Sequence, residues 1–117
     1  REINMGIVKR SETAPFIISE GRSRYLAHTD NVMIAVVECN DGPASQPDPP
    51  HSHPHEQVSY VASGEILVII GEEKTRLGEG DLFTVPPDVP HTIQTLSKYV
   101  RLIDAFNPIR KDFLKKE

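Results

Sequence analysis

Apolar and polar residues alternate along most of this chain in short runs, and no stretch keeps a helical period for a useful length. The runs are Pro15–Ile18, Tyr25–His28, Val32–Cys39, Gln57–Ala62, Glu65–Ile70, Lys74–Leu77, Asp81–Val85, His91–Leu96 and Tyr99–Ala105. Turn residues separate them: Ser63-Gly64, Gly71-Glu72, Gly78-Glu79-Gly80 and Pro86-Pro87-Asp88. Short strands at this spacing, each closed by a turn, predict an all-β sandwich or barrel. Asn40 to Pro54 is rich in Pro, Asp and Ser and reads as a loop of little freedom. Pro108 to Glu117 fits a short helix or an extended arm equally well.

Composition narrows the picture. A chain of 117 residues is one ordinary domain, 1–117, able to bury a core without disulfide staples. Cys39 stands alone, so no internal disulfide forms and nothing argues for secretion. The formal charge of -4 is mild, and basic residues gather only at Arg110, Lys111, Lys115 and Lys116. That is no footprint for nucleic acid. The longest apolar run, Ile66 to Ile70, is too short for a membrane span or a signal-peptide core. A soluble cytoplasmic protein is the expectation. The chain begins at Arg1 rather than Met, which leaves room for residues upstream.

Candidate chemistry is concentrated in His51-Ser52-His53-Pro54-His55-Glu56-Gln57, which holds three of the five histidines. In a strand, residues two apart share a face, so His51 and His53 can point the same way and chelate one divalent ion. His53 and His55 would share a face by the same rule, which makes His55 a competing ligand. His28 reads as structural or surface. Gln57 starts an apolar strand whose period-two face continues through Ser59 and Val61, so its amide can turn inward beside the histidines. Downstream, His91 opens a strand just after the Pro86-Pro87-Asp88 turn, a position suited to closing a site across a barrel.

These two segments resemble the paired signatures of the cupin family. The first appears as His51-x-His53, three residues, Gln57, six residues, Gly64. The second appears as Gly80, five residues, Pro86-x-Asp88, two residues, His91, and then Thr95. Four positions depart from the pattern. Ser45 and Asp88 stand where glycine is expected, Gln57 replaces glutamate, and Thr95 replaces asparagine. Asp tolerates the left-handed turn that glycine would take. The resemblance implies a single-domain double-stranded β-helix, the jelly-roll barrel. It also implies one divalent metal ion (Zn, Ni, Fe or Mn) on His51, His53 and His91, with Gln57 as fourth ligand. A homodimer is implied as well. Neutral ligands throughout would leave the ion's charge uncompensated and favour an anionic, oxygen-rich substrate.

In the last strand, alternation puts Val100, Leu102, Asp104 and Phe106 on one face. If that face lines the barrel, Asp104 is a lone carboxylate in an apolar cavity and a candidate general acid or base. As a strand-end residue it would instead lie at the surface. The run from Asp104 to Arg110 resembles the Asp-x-Phe-x-Pro-x-Arg tail of small KdgF-like cupins. Those enzymes promote opening of 4,5-unsaturated monouronates in pectin and alginate breakdown. The resemblance implies catalytic roles for Asp104, Phe106 and Arg110, with Arg110 gripping the carboxylate of a small anionic sugar acid. The same barrel could instead serve a metal-dependent dioxygenase, another isomerase or a non-catalytic sugar-binding module.

Overall fold

The computed structural model describes residues 6–114. Nine strands form among the described residues, one at each expected run: β1 (Phe16–Ser19), β2 (Arg22–His28), β3 (Met33–Cys39), β4 (Glu56–Ser63), β5 (Ile66–Ile70), β6 (Glu73–Leu77), β7 (Leu82–Val85), β8 (His91–Thr95) and β9 (Val100–Asn107). All pair antiparallel. One sheet has the order β1-β2-β3-β9-β4-β7 and the other β6-β5-β8. A 3-10 turn at Lys111–Leu114 ends the described chain, so the last segment is helical over those residues. Lys115, Lys116 and Glu117 lie outside the described residues.

Side-chain alternation decides which faces meet. In β4, Gln57, Ser59 and Val61 are buried while Glu56, Val58 and Tyr60 face out. In β9, Val100, Leu102 and Phe106 are buried. In β5, Ile66 and Val68 turn inward from the smaller sheet. The two sheets therefore close over one apolar cluster of Cys39, Val61, Ile66, Val68, Phe83, Val85, Val100 and Leu102. A second cluster, Met33, Ala35, Phe106 and Ile109, packs further along the large sheet. The outer strand β6 reads Glu-Lys-Thr-Arg-Leu, and such charges keep an exposed edge from pairing with other chains.

Two turns need unusual backbone. Gly64 has φ +89, and a Cβ there would strike the carbonyl of Tyr99. Only glycine fits that close approach. Asp88 has φ 66 and is the sole non-glycine residue with positive φ among the described residues. Its amide donates to the carbonyl of His53 at 2.7 Å, tying the proline turn to the histidine loop.

Candidate metal centre

The loop before β4 is held along β8 rather than left free. Ala44 N donates to Thr95 O, and Asp48 N donates to Ile93 O. Thr92 Oγ1 donates to the carbonyl of Asp48. The loop then reaches His51, whose N–H donates to His91 O at 3.0 Å, while His91 N–H donates to His51 O at 2.8 Å. This reciprocal pair is an isolated antiparallel bridge. His51 and His53 thus converge through a bridged loop, not through a shared strand face as two-residue spacing alone suggested. The prolines at 47, 49, 50 and 54 explain the difference, since each removes a ladder donor.

The ligand nitrogens of His51, His53 and His91 all lie within 4.8 Å of one another. Ring centroids are 4.3 Å apart for His51–His91 and 4.7 Å for His53–His91. Each buried ring is oriented by its other nitrogen. His53 Nδ1 contacts the carbonyl of His55 at 3.0 Å, and His91 Nδ1 that of Val89 at 2.9 Å. A carbonyl only accepts, so both Nδ1 atoms carry a proton, and in a neutral ring Nε2 then offers a lone pair. His91 Nε2 is buried without any hydrogen-bond partner. Burial, then the neighbouring His91 and His53, push His51 down to about 4. Burial lowers His91 as well. Neutral imidazoles with inward lone pairs and an orphaned buried nitrogen are what a divalent cation needs, so these three residues could hold one.

Gln57 extends the cluster. Its Oε1 lies 3.0 Å from His53 Nε2: that nitrogen donates to the amide oxygen when protonated, and the two atoms face one cation together when it is not. The amide nitrogen donates to Ser59 Oγ at 2.9 Å, and Ser59 Oγ donates to Asp104 Oδ1 at 2.6 Å. Strand register makes this chain: on β4 and β9, Gln57 stands opposite Phe106 and Ser59 opposite Asp104. Burial raises the Asp104 carboxyl to about 6, against the lowering pull of the Ser59 hydroxyl and the Arg110 charge. Asp104 therefore faces the interior, as strand alternation in β9 allowed.

A cavity of about 260 Å³ opens here, with His51, Gln57, His91, Asp104, Phe106 and Arg110 on its wall. Phe106 sits edge-on to His53, ring centroids 5.8 Å apart. Arg110 is already occupied. Its Nε and terminal nitrogen grip both carboxylate oxygens of Asp112 at 3.1 and 2.9 Å. Its guanidinium also rests over the rings of Phe113 and Phe106, at 4.2 and 5.1 Å. That hydrogen bond, and the charge behind it, hold Asp112 below the usual carboxylate range.

His55 is not one of the three convergent histidines; it supplies the carbonyl that orients His53. His28 is exposed, and its ring bonds the Thr29 carbonyl at the end of β2. Three participants had no role in the reading of the sequence. Ser59 was visible only as an inward position. Asp112 forms a fork two residues after Arg110, which its spacing could have flagged. Arg22 also lines the cavity, fixed by Asp41 at 2.9 Å and Asp48 at 2.6 Å.

The family model described as the cupin domain matches residues 38–106. The chain belongs to the cupin family. This cupin is 33% identical to the pectin degradation protein KdgF of Dickeya dadantii (strain 3937), over 80% of this chain and 83% of that one. Its fold is similar to the solved KdgF of a Halomonas species. The TM-score is 0.80 at 31% identity, covering 90% of this chain and 94% of that one. It is also similar to an RmlC-like cupin from Shewanella frigidimarina NCIMB 400. There the TM-score is 0.83 at 31% identity, with 94% and 96% coverage. The chain is thus a KdgF-like cupin. The cupin match spans the three histidines, Gln57 and Asp104 and stops at Phe106, before Arg110.

Proposed function

We propose that this cupin is a metal-dependent enzyme that promotes ring opening and ketonisation of 4,5-unsaturated monouronates from pectin or alginate breakdown. The observation that carries the reading is Asp104. It is a carboxyl group raised to about 6 by burial, on the wall of the same cavity as His51 and His91. A group with a midpoint near neutrality can both take and return a proton. The likeness to proteins named KdgF supports the choice of substrate class.

A divalent ion (Zn, Ni, Fe or Mn) on His51, His53, His91 and Gln57 would supply Lewis-acid stabilisation of negative charge on substrate oxygen. The chain's own residues do the rest. Asp104 takes the proton of the hemiacetal hydroxyl as the C1 carbonyl forms and the bond from C1 to the ring oxygen breaks. It returns that proton to C4 as the C5 carbonyl forms, so the proton count closes. Phe106 lies against the apolar face of the sugar. Arg110 turns its fork from Asp112 to the substrate carboxylate, exchanging one bidentate partner for another.

The test is loss of ultraviolet absorbance at the unsaturated chromophore, with galacturonate-derived and mannuronate-derived substrates. The wild-type protein outpaces the spontaneous reaction. Asp104→Asn loses about 10²–10⁴-fold in turnover, the span typical of a general acid–base group, with unchanged metal content. An Asp104→Asn protein of full activity refutes the assignment.

A homodimer belongs to the same proposal. The exposed Phe16, Ile17 and Ile18 of the outermost strand β1 support it, as do the exposed Ile34, Val58, Tyr60 and Leu82 on the large sheet. A monomeric mass by light scattering at micromolar concentration excludes it.

A further inference from the structure

The hydrogen bonds from Gln57 through Ser59 to Asp104 run one way, and elementary chemistry fixes the direction. His53 Nδ1 donates to the carbonyl of His55, so His53 Nε2 is bare whenever the ring is neutral, as a metal ligand must be. Gln57 Oε1 lies 3.0 Å from that bare nitrogen. Two lone pairs face each other there, which a cation between them would stabilise. An amide nitrogen has no lone pair to offer a cation. The oxygen therefore turns to the imidazoles and the nitrogen to Ser59. Ser59 owns a single proton and already accepts from the amide, so that proton goes to Asp104 Oδ1. Ser59 is 1% exposed, and solvent offers it no substitute partner.

We infer that Ser59 and Gln57 are positioning residues that order this chain so that Asp104 Oδ1 is always the acceptor and its transferable proton sits on Oδ2. The inference rests on the proposed function only in giving that proton a use. It supplies a reason for glutamine where the cupin signature has glutamate. A carboxylate at position 57 has acceptors at both ends and no donor. It would compete with Asp104 for the one Ser59 proton and leave the acid free to protonate on either oxygen. Glutamine ligates with one end and donates with the other, which leaves the hydroxyl to Asp104.

Several ionisable groups share the cavity with Asp104: Arg110 after β9, Cys39 on β3, Arg22 on β2, Asp48 and His51 in the loop, and His91 on β8. Among the described residues, Ser59 is the only hydrogen-bond donor to the Asp104 side chain.

The zinc-loaded protein tests this without any substrate. The carboxyl carbon of Asp104 is followed by NMR against pH and assigned with Asp104→Asn. Zinc affinity is measured by chelator competition. Ser59→Ala raises the Asp104 midpoint by about one pH unit, the value of a hydrogen bond to a charged group. It also weakens zinc about tenfold, as lost outer partners of metal ligands do. Ser59→Thr keeps the hydroxyl and restores both. Gln57→Glu raises the Asp104 midpoint like Ser59→Ala, and it carries the test if the alanine variant fails to fold. An unchanged midpoint in Ser59→Ala or Gln57→Glu overturns the inference, as does an equal rise in Ser59→Ala and Ser59→Thr. If the shifts appear in a protein that does not ketonise unsaturated uronates, the proposed activity falls and the proton chain stands.

Discussion

The two ends of the barrel interior are built from the same strands and behave as opposites. β4 contributes Gln57 and Ser59 to one end and Val61 to the other. β9 contributes Asp104 and Phe106 to one end and Val100 to the other, with Leu102 between them on the cavity wall. At the apolar end, each fully buried side chain is worth about 1.5–3 kcal/mol. At the polar end the balance reverses: burial raises the Asp104 carboxyl to about 6 and depresses His51 to about 4. His91 Nε2 has no partner at all. One end holds the shell together, and the other spends part of that stability to keep neutral, lone-pair-bearing groups away from water.

Substitutions at each end should break this contrast in different ways. The largest effect expected is on metal, from His51→Ala. Removing one ligand costs about 3 kcal/mol, roughly a hundredfold in zinc affinity. His51 lies at the rim of the site, desolvated by its neighbours on one side but open to solvent on the other, so metal-free stability moves by only about 0.5 kcal/mol. Titration with zinc and a chemical melt of the metal-free protein read the two separately. Ile66→Ala, at a fully buried core position off the cavity wall, gives the mirror image. It costs about 2–5 kcal/mol of folding stability through a core cavity, with zinc affinity per folded molecule unchanged.

Asp104→Asn is the subtlest. In the metal-free protein the folded carboxyl sits at about 6, above its ordinary value of 3.8. The folded state therefore binds a proton more tightly than the unfolded chain. The associated stability is fully present below about pH 4 and is lost as pH rises through 6. Asparagine keeps an acceptor for Ser59 and removes the charge, so it stabilises by about 2 kcal/mol at pH 8. The gain vanishes near pH 4. Melts of both proteins across that range check it, and a gain independent of pH contradicts the buried-charge account.

Much of the fold was legible, because a period of two survives in the residue pattern wherever one face is buried. The limits of the strands were less so. β2 begins at Arg22 rather than Tyr25, because Arg22-Ser23-Arg24 shows no apolar alternation. Its pairing with Val37, Glu38 and Cys39 on β3 makes it a strand. The convergence of His51, His53 and His91 was readable from their spacing together with the cupin resemblance. The means of convergence was not, since a main-chain bridge between residues 51 and 91 leaves no trace in side-chain identity. Likewise Ser59 was readable as inward-facing. Its partnership with Asp104 depends on the β4–β9 register, which neither strand encodes alone. Arg110 reads as a free cation in the sequence, yet the following turn delivers Asp112 to it.

The paired main-chain contacts between His51 and His91 carry a consequence for how the centre is filled. In a zinc finger, coordination has to organise the polypeptide, and the ion is a staple. Here main-chain amides, rather than side-chain ligation, set the distance between the two jaws, so the loop does not depend on coordination for its path. A centre framed this way would leave the choice of a divalent guest to supply and ligand preference rather than to folding.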